Sequence, residues 1–180
     1  ALIDKFRDQR DPATREVVRN ARFMLSHLEG AAGNQAAAEE WLQPGLDEYP
    51  EDVAAMNDLG YLWADGGKYL HRAQAMLKHA VATQPKNAAY RDSLGWVLFR
   101  SQQHEAARDH LEQAVALSQQ ENEDGAADAV ILDHLGDVYL HLGEMDEAID
   151  AWQQAAENLT DQDADLAKKM KKKLAEHRDD

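Results

Sequence analysis

The sequence contains no cysteine and only four prolines, β-branched residues are sparse, and basic residues are far fewer than acidic ones. Without cysteine, neither a disulfide framework nor thiolate chemistry is available, although this absence is compatible with a reducing or an oxidising compartment. The abundant residues are alanine, leucine, glutamate, aspartate, lysine and glutamine, most of which favour helices. The composition therefore predicts an all-α protein.

The charge balance is acidic, with 34 aspartate and glutamate residues against 19 lysine and arginine residues and a formal net charge of −15. Such a charge repels the phosphate backbone of nucleic acids and anionic membrane surfaces. No apolar run approaches the roughly 20 residues that a membrane-spanning helix needs. We therefore expect neither a nucleic-acid partner nor insertion into a membrane.

A leucine followed by a small residue occurs four times, and the small residues are separated by 34, 35 and 41 positions: Leu25–Ser26, Leu59–Gly60, Leu94–Gly95 and Leu135–Gly136. After each pair comes an alanine with a large apolar residue four positions later, namely Ala38 and Leu42, Ala73 and Leu77, Ala107 and Leu111, and Ala148 and Trp152. Residues four apart lie on one face of a helix. A period near 34 predicts repeated helix–turn–helix units.

These residues resemble the tetratricopeptide repeat, whose signature is W-x2-L-G-x2-Y, then A-x3-F, then proline. The fourth copy fits best, with Leu132, Leu135, Gly136, Tyr139, Ala148, Trp152 and Ala155. The first copy departs furthest, since Ser26 replaces the glycine and Glu29 replaces the aromatic residue. The resemblance implies a right-handed α-solenoid of antiparallel helix pairs, whose neighbours stack into one continuous core.

The register divides a single array over residues 1–180. It predicts an N-terminal helical segment with the start of a first long helix (1–18), repeats at 19–52, 53–87, 88–121 and 129–162, an inserted turn (122–128) and a capping helix (163–180). Asp11 and Pro12 predict where the first long helix begins, and it should reach about Gly30. Residues 1–6 look like the tail of an earlier repeat, so we expect the chain to be the C-terminal part of a longer array.

The capping segment has two different sides. Leu166, Met170 and Leu174 form an apolar stripe at helical spacing, which suits a helix that covers the last repeat. The other side carries Lys168, Lys169, Lys171, Lys172 and Lys173. These lysines are either a solvated face or a basic tag for an acidic surface.

The resemblance also implies where a partner binds, because ligands of this family lie in a concave groove lined by the first helix of each pair. The matching side chains are mostly acidic and aromatic: Asn57, Tyr61, Asp65, Asp92, Trp96, Phe99, Arg100, Asp133, Asp137 and His141. Carboxylates and aromatic faces both attract cations. We therefore expect a protein or peptide partner with a basic or amphipathic segment.

Chaperone-binding members of the family hold a free C-terminal carboxylate with a lysine, asparagine and arginine clamp. The matching positions here are Phe23, His27, Asp58, Ala89 and Ser93, so that clamp is missing. By family position, Trp63, Tyr139 and Trp152 should lie in the core, whereas Tyr61 and Trp96 should lie in the groove, where their loss would cost much less stability.

Two alternatives remain open at this point. The carboxylates could be merely solvated, with the aromatic residues packed within the array and the true interface on another face. The chain could also assemble with itself into a homo-oligomer, with residues 168–173 of one copy in the groove of a neighbour.

Few residues in the sequence support catalysis or the binding of a metal or cofactor. Asp133, His134, Asp137 and His141 carry metal-ligating atoms at helical spacing, but neither an H-E-x-x-H pair nor an EF-hand loop accompanies them. The eight histidines are scattered without a nucleophile arrangement, and no glycine-rich phosphate loop follows a predicted strand. We therefore expect no enzymatic activity, no cofactor and no metal.

Overall fold

The computed structural model of the chain describes residues 3, 6, 11–160 and 163–177, and all regular secondary structure in these residues is helical. Nine helices follow one another within residues 11–177 of this described part: α1 (Pro12–Ala31), α2 (Gln35–Glu48), α3 (Val53–Asp65), α4 (Leu70–Thr83), α5 (Ala88–Arg100), α6 (His104–Glu121), α7 (Ala129–Leu142), α8 (Met145–Glu157) and α9 (Ala164–Glu176). The prediction of an all-α protein is confirmed.

The first helix begins where the sequence predicted. Asp11 is the N-cap of α1, its side chain accepts a hydrogen bond of 2.9 Å from the Thr14 amide, and Pro12 is the first helical residue. The first helices of the later pairs begin in the same way, since Asp52, Asn87 and Asp128 accept from the first-turn amides of α3, α5 and α7. Side-chain caps therefore fix where each of these four helices starts.

The helices form four pairs, α1–α2, α3–α4, α5–α6 and α7–α8. The small residues mark where the two helices of a pair touch. A Cβ added to Gly95 would lie 2.6 Å from Leu111 Cγ, and one added to Gly60 would lie 2.9 Å from Leu77 Cγ. Gly136 meets Trp152 in the same way. These contacts explain why a small residue in the first helix recurs with a large one in the second.

Buried apolar side chains run along the array in two clusters, and the partly buried Val115 and Tyr139 pack against both. Leu42, Leu59, Leu77, Leu94 and Leu111 belong to a single buried cluster that extends from the first pair to the fourth. The four alanines of the repeat, Ala38, Ala73, Ala107 and Ala148, have no exposed surface. Because each pair buries its apolar face against its neighbours, the array is stable only as a stack.

The aromatic residues predicted to lie in the core do so, with one difference. Trp63 and Trp152 are fully enclosed, and Trp63 Nε1 donates a 2.8 Å hydrogen bond to Glu39. Tyr139 is half-buried: its ring packs against the core while its hydroxyl donates a 3.0 Å bond to Glu112. The polar atoms of Trp63 and Tyr139 thus have partners on the neighbouring helix of the array.

The long spacing between the third and fourth copies is divided between helix and loop. Helix α6 extends to Glu121, and residues 122–128 connect it to α7. The loop is tied back to the helix, because the Asp128 amide donates a 2.8 Å bond to Ser118 Oγ and Asn122 Nδ2 donates to the Ala126 carbonyl. The extra residues therefore leave the stacking of α7 on α6 intact.

The two ends of the array are covered differently. Helix α9 lies on the last pair, where Met170 is fully buried against Trp152 and is flanked by Leu166 and Leu174, as the apolar stripe predicted. The prediction for residues 1–6 falls mainly outside the described residues. Ile3 and Phe6 are helical and, with Val17 and Val18 of α1, border a cavity of about 260 Å³.

A pair of glycine substitutions tests the helix contacts. Gly95→Ala forces a methyl group against Leu111 and the Ala107 carbonyl, so we expect the free energy of unfolding to fall by about 1–3 kcal/mol. Gly45 lies inside α2 with no atom near its missing Cβ. Gly45→Ala should instead raise stability by up to about 1 kcal/mol, because alanine favours helices. Urea unfolding of both variants measures the difference, and equal effects would contradict this account.

Candidate functional site

The first helices of the pairs form a continuous row, since α3 contacts α5 and α5 contacts α7. Helix α1 joins the row through Arg19, which pairs with Asp52 at the start of α3, and through His27, which lies 3.4 Å from Asp58. Helix α9 continues the row beyond α7 through two lysines. We call the surface of α1, α3, α5 and α7 that carries the ten predicted residues the groove.

The ten predicted residues differ in exposure. Tyr61, Asp65, Arg100 and Asp137 are half-buried, and His141 is exposed. The other five are buried: Asn57, Asp92, Trp96, Phe99 and Asp133. Neighbouring helices of the row therefore cover half of the ten residues, and the assignment of all ten to a partner-binding site stays a prediction.

Trp96 is the clearest correction. We expected it to be a groove side chain whose loss would cost little, but it is only 7% exposed and belongs to the core cluster. Its ring stacks on His134 of α7, with ring centroids 4.1 Å apart and planes 18° from parallel. Trp96 therefore supports the packing of α5 against α7, much as a core aromatic residue does.

His134 is held on its other side by a carboxylate. Its Nδ1 lies 2.8 Å from Asp92 Oδ1 on α5, and both side chains are almost completely buried. Burial favours the neutral ring, but the charge of Asp92, its hydrogen bond and the charge of Asp133 together raise the pKa of His134 above its usual value. His134 thus joins α5 and α7 through its contact with Asp92 on one side and its stacking on Trp96 on the other.

The two carboxylates of α7, Asp133 and Asp137, pair with lysines of α9, the last helix of the chain. Asp133 is only 1% exposed, and its two carboxylate oxygens each meet an ammonium group at 2.5 Å, one from Lys169 and one from Lys173. Lys173 also pairs with Asp137, and its ammonium lies 5.0 Å from the ring centroid of Trp152. The capping helix is therefore fixed by charge as well as by its apolar stripe.

These contacts within the chain were not predicted from the sequence. A solvated face or a basic tag was expected for all five lysines, whereas Lys169 and Lys173 occupy the groove of their own chain. The spacing held the signal, because Asp133 and Asp137 are four apart on α7 and Lys169 and Lys173 are four apart on α9. Two such pairs fit together when the helices lie side by side.

A cluster of three rings lies where α5, α6 and α7 meet, and it consists of Phe99, His104 and His141. Phe99 meets His104 and His141 edge-on, with centroids 5.3 and 4.8 Å away. Arg100 donates a 2.5 Å hydrogen bond to the Asp65 carbonyl, and its guanidinium lies 5.7 Å from the ring centroid of Trp96. These residues link α3, α5 and α7 instead of facing solvent separately.

An open part of the groove lies nearer the N-terminus. A cleft of about 560 Å³ is bounded by α1, α3 and α5 and by the start of α2, and we call it the acidic cleft. It is lined by Ser26, His27, Gly30, Ala31, Gln35, Asn57, Asp58, Tyr61, Leu62, Asp65, Ala89, Asp92 and Ser93. Three of these are aspartates and none is a lysine or arginine, so the cleft suits a cation.

In the acidic cleft, burial shifts the pKa values of Asp58 and Tyr61, and the neighbouring hydrogen bonds and charges do not cancel these shifts. Burial raises the pKa of the Asp58 carboxyl, although a hydrogen bond from Asn57 and the charge of His27 oppose the change. Burial and the charges of Asp92, Asp65 and Asp133 also raise the pKa of the Tyr61 hydroxyl. Both shifts indicate an environment that disfavours further negative charge.

The metal alternative gains nothing from the geometry. Within residues 11–160 and 163–177, and at residues 3 and 6, no group of three or more His, Cys, Asp or Glu side chains could hold a metal ion. Asp133 and Asp137 face lysines, and His134 faces Asp92. In the same part of the chain, no helix is long and apolar enough to span a membrane.

Comparison with known proteins agrees with the helix pairs. Residues 86–161 match the family model of the tetratricopeptide repeat. The chain contains tetratricopeptide repeats. Its fold is the right-handed superhelix of antiparallel helix pairs, and such repeats generically serve as protein–protein interaction scaffolds. No curated protein matches the sequence.

Solved structures with this fold are similar along most of the chain. The crystal structure of MamA protein is 25% identical with a TM-score of 0.54, over 77% of this chain and 72% of that one. PilF of Pseudomonas aeruginosa is 20% identical with a TM-score of 0.64, over 91% and 71%. The O-GlcNAc transferase of Thermobaculum terrenum is 23% identical with a TM-score of 0.66, but this chain covers only 27% of it. The last similarity shows the repeat fold alone.

The lysine pairs can be tested by removing one cation at a time. Lys173→Met leaves the buried Asp133 and the adjacent Asp137 with less compensation, so we expect the free energy of unfolding to fall by about 1–3 kcal/mol. Lys171 is exposed on the same helix, and Lys171→Met should leave the unfolding midpoint unchanged. Thermal unfolding followed by circular dichroism compares the two. Equal midpoints would show that α9 is held by its apolar stripe alone.

His134 predicts a pH dependence of defined sign. Because folding raises its pKa, its contribution to stability is fully present below its usual value of about 6.5 and is lost as pH rises through the folded-state pKa. The groups that set this shift are Asp92, Asp133 and Lys169. The difference in unfolding free energy between the protein and its His134→Gln variant should shrink from pH 6 upward, measured by urea unfolding. A constant difference would mean that His134 contributes by stacking only.

Proposed function

We propose that the chain is a non-enzymatic scaffold that binds a basic or amphipathic segment of another protein in the groove. The observation that supports this most directly is internal: in the basic helix α9, Lys169 pairs with the groove carboxylate Asp133, and Lys173 pairs with both Asp133 and Asp137. The groove therefore has the chemistry to hold a helix that carries paired cations. A partner would meet the same chemistry in the part that α9 leaves open.

The open part is the acidic cleft together with its rim. Asp58, Tyr61 and Asp65 are only partly covered there, and Asp92 lies at its base. The net charge of −15 attracts a basic segment over a longer range and should raise its association rate. We therefore place the partner segment along α1, α3 and α5, before the position where α9 closes the row.

The absence of enzymatic activity is part of the proposal. An aspartate–histidine pair such as Asp92–His134 can act as a general base in enzymes. Here, however, Trp96 stacks on the His134 ring and both members of the pair are buried. A substrate would have no access to it without separating α5 from α7. The pair instead joins two helices of the array.

A self-assembling scaffold is the second candidate. Lys168, Lys171 and Lys172 remain exposed on α9, where they could contact the acidic surface of a neighbouring copy. Lys169 and Lys173 already pair with the groove of their own chain, which leaves three of the five lysines for such a contact. Light scattering at low salt and high protein concentration separates the two candidates, since a purely monomeric mass excludes self-assembly.

Peptides of one length and different charge test the groove. We would compare three acetylated and amidated 12-residue amphipathic peptides that carry arginine, glutamine or glutamate at the same polar positions. The arginine peptide should bind most tightly in fluorescence anisotropy, and its affinity should fall as salt is raised, because screening weakens exposed charge pairs. Equal binding of all three peptides would exclude an acidic groove as the site.

Charge reversal supplies the matched control. Asp65→Lys changes the rim of the acidic cleft, whereas Asp47→Lys makes the same change in net charge on the exposed side of α2. The Asp65 variant should lose several-fold more affinity for the arginine peptide than the Asp47 variant does. Similar losses would indicate a general charge effect and no defined groove.

A further inference from the structure

Three positions of the groove are equivalent in the repeat register and have different partners. Asn57, Asp92 and Asp133 each lie three residues before the glycine of their helix, and all three are buried. At two of these positions, the next helix of the row supplies a hydrogen-bond donor from a basic side chain: His134 of α7 bonds to Asp92, and Lys169 and Lys173 of α9 bond to Asp133. A donor from the next helix is therefore the rule in this row.

The third position lacks that donor. His134 lies two residues before Gly136, and the residue in the same place on α5 is Ser93. Ser93 is small, and its hydroxyl donates to the Ala89 carbonyl of its own helix at 3.0 Å. Consequently, no group of α5 reaches Asn57 as His134 reaches Asp92.

Asn57 shows the consequence directly. The side chain is 92% buried, with 8% of its surface exposed, and its Oδ1 has no hydrogen-bond donor. Its Nδ2 donates to Asp58 Oδ1 at 3.2 Å, which leaves the carbonyl oxygen as the unpaired atom. A buried acceptor without a donor costs about 1–3 kcal/mol, so a ligand that donates to it would recover free energy.

The acidic cleft lies at this position and has acceptors in excess. Asn57, Asp58, Asp65 and Asp92 line it, while Gln35 and His27 offer donors that are already directed at Asp65 and Asp58. At the other two equivalent positions, Asp92 and Asp133, a basic side chain from the next helix lies in the place that the cleft occupies here. Its volume of about 560 Å³ leaves room for a long side chain.

We propose that the acidic cleft binds an arginine side chain of the partner segment, whose guanidinium takes the place that His134 and Lys173 occupy at the next two steps. This inference rests on the proposed function, because the arginine belongs to the basic segment in the groove. Arginine suits the cleft better than lysine does, since its five donors form a planar fork that can serve acceptors on α3 and α5 together. Its flat face can also lie on the ring of Tyr61.

Single replacements in the arginine peptide identify the anchor. Each arginine is exchanged in turn for citrulline, which keeps the shape but removes the charge, and in a second series for lysine. One arginine should be distinct: citrulline at that position should lower the affinity about tenfold or more, and lysine should not restore it fully. Uniform small losses at every position, or full restoration by lysine, would overturn the arginine assignment.

Variants of the protein locate that anchor in the cleft. Ser93→Arg places a guanidinium on α5 where α7 carries His134, so it should fill the cleft and abolish the distinct citrulline effect. Gln43→Arg adds the same charge on the exposed side of α2 and serves as the control. Asp58→Asn preserves volume and keeps the protein folded if the larger Ser93 substitution does not, and Asp47→Asn is its charge-matched control.

The decisive result is coupling between peptide and protein. Asp58→Asn should weaken the arginine peptide about tenfold but leave the citrulline peptide unchanged, whereas Asp47→Asn should affect both equally and little. If Asp58→Asn and Ser93→Arg bind the arginine peptide as well as their controls do, the cleft is not the anchor site, although the groove could still bind a basic segment. If no basic peptide binds, the proposed function itself fails.

Discussion

In the second, third and fourth helix pairs, a glycine of the first helix is in close contact with a large side chain of the second helix. The rest of the structure depends on this contact. Gly95 against Leu111 and Gly136 against Trp152 leave no room for a methyl group, so the two backbones approach closely. This contact sets how each pair sits and, through the shared core, how the next pair stacks on it. The groove is the surface that remains on one side of that stack.

The same stacking gives the groove its second property, which is that helices in the row exchange charges. Asp92 accepts from the next first helix, and Asp133 accepts from the capping helix, in both cases with the carboxylate almost fully buried. Such pairs are stabilising only while both members are present, because an unpaired buried carboxylate is costly. The polar side of such an array is as specific as its apolar core. At Ser93 the basic side chain that would continue the series of pairs is missing, and this position identifies the acidic cleft.

Sequence reasoning and structure agree most where a local signal acts alone. Asp11 with Pro12 predicted the start of α1, and the stripe of Leu166, Met170 and Leu174 predicted a capping helix, because capping and helical periodicity are properties of neighbouring residues. The groove was predicted less well. Trp96 and Asp133 hold the register of ligand-binding positions, yet burial removed them from the open surface, since what covers them comes from helices roughly 40 residues later in the chain.

The sequence by itself determined the family, the helix pairing and the acidic character of the groove, because a repeated pattern of small and large residues specifies contacts within a pair and charge follows from composition. Only the tertiary structure decided which acidic residues are available. Lys173 pairs with Asp133 and Asp137, and His134 pairs with Asp92, whereas Asn57 has no such neighbour. The physical reason is that charge compensation depends on distance in space, and the helices that supply these cations meet their carboxylates only after the array has stacked.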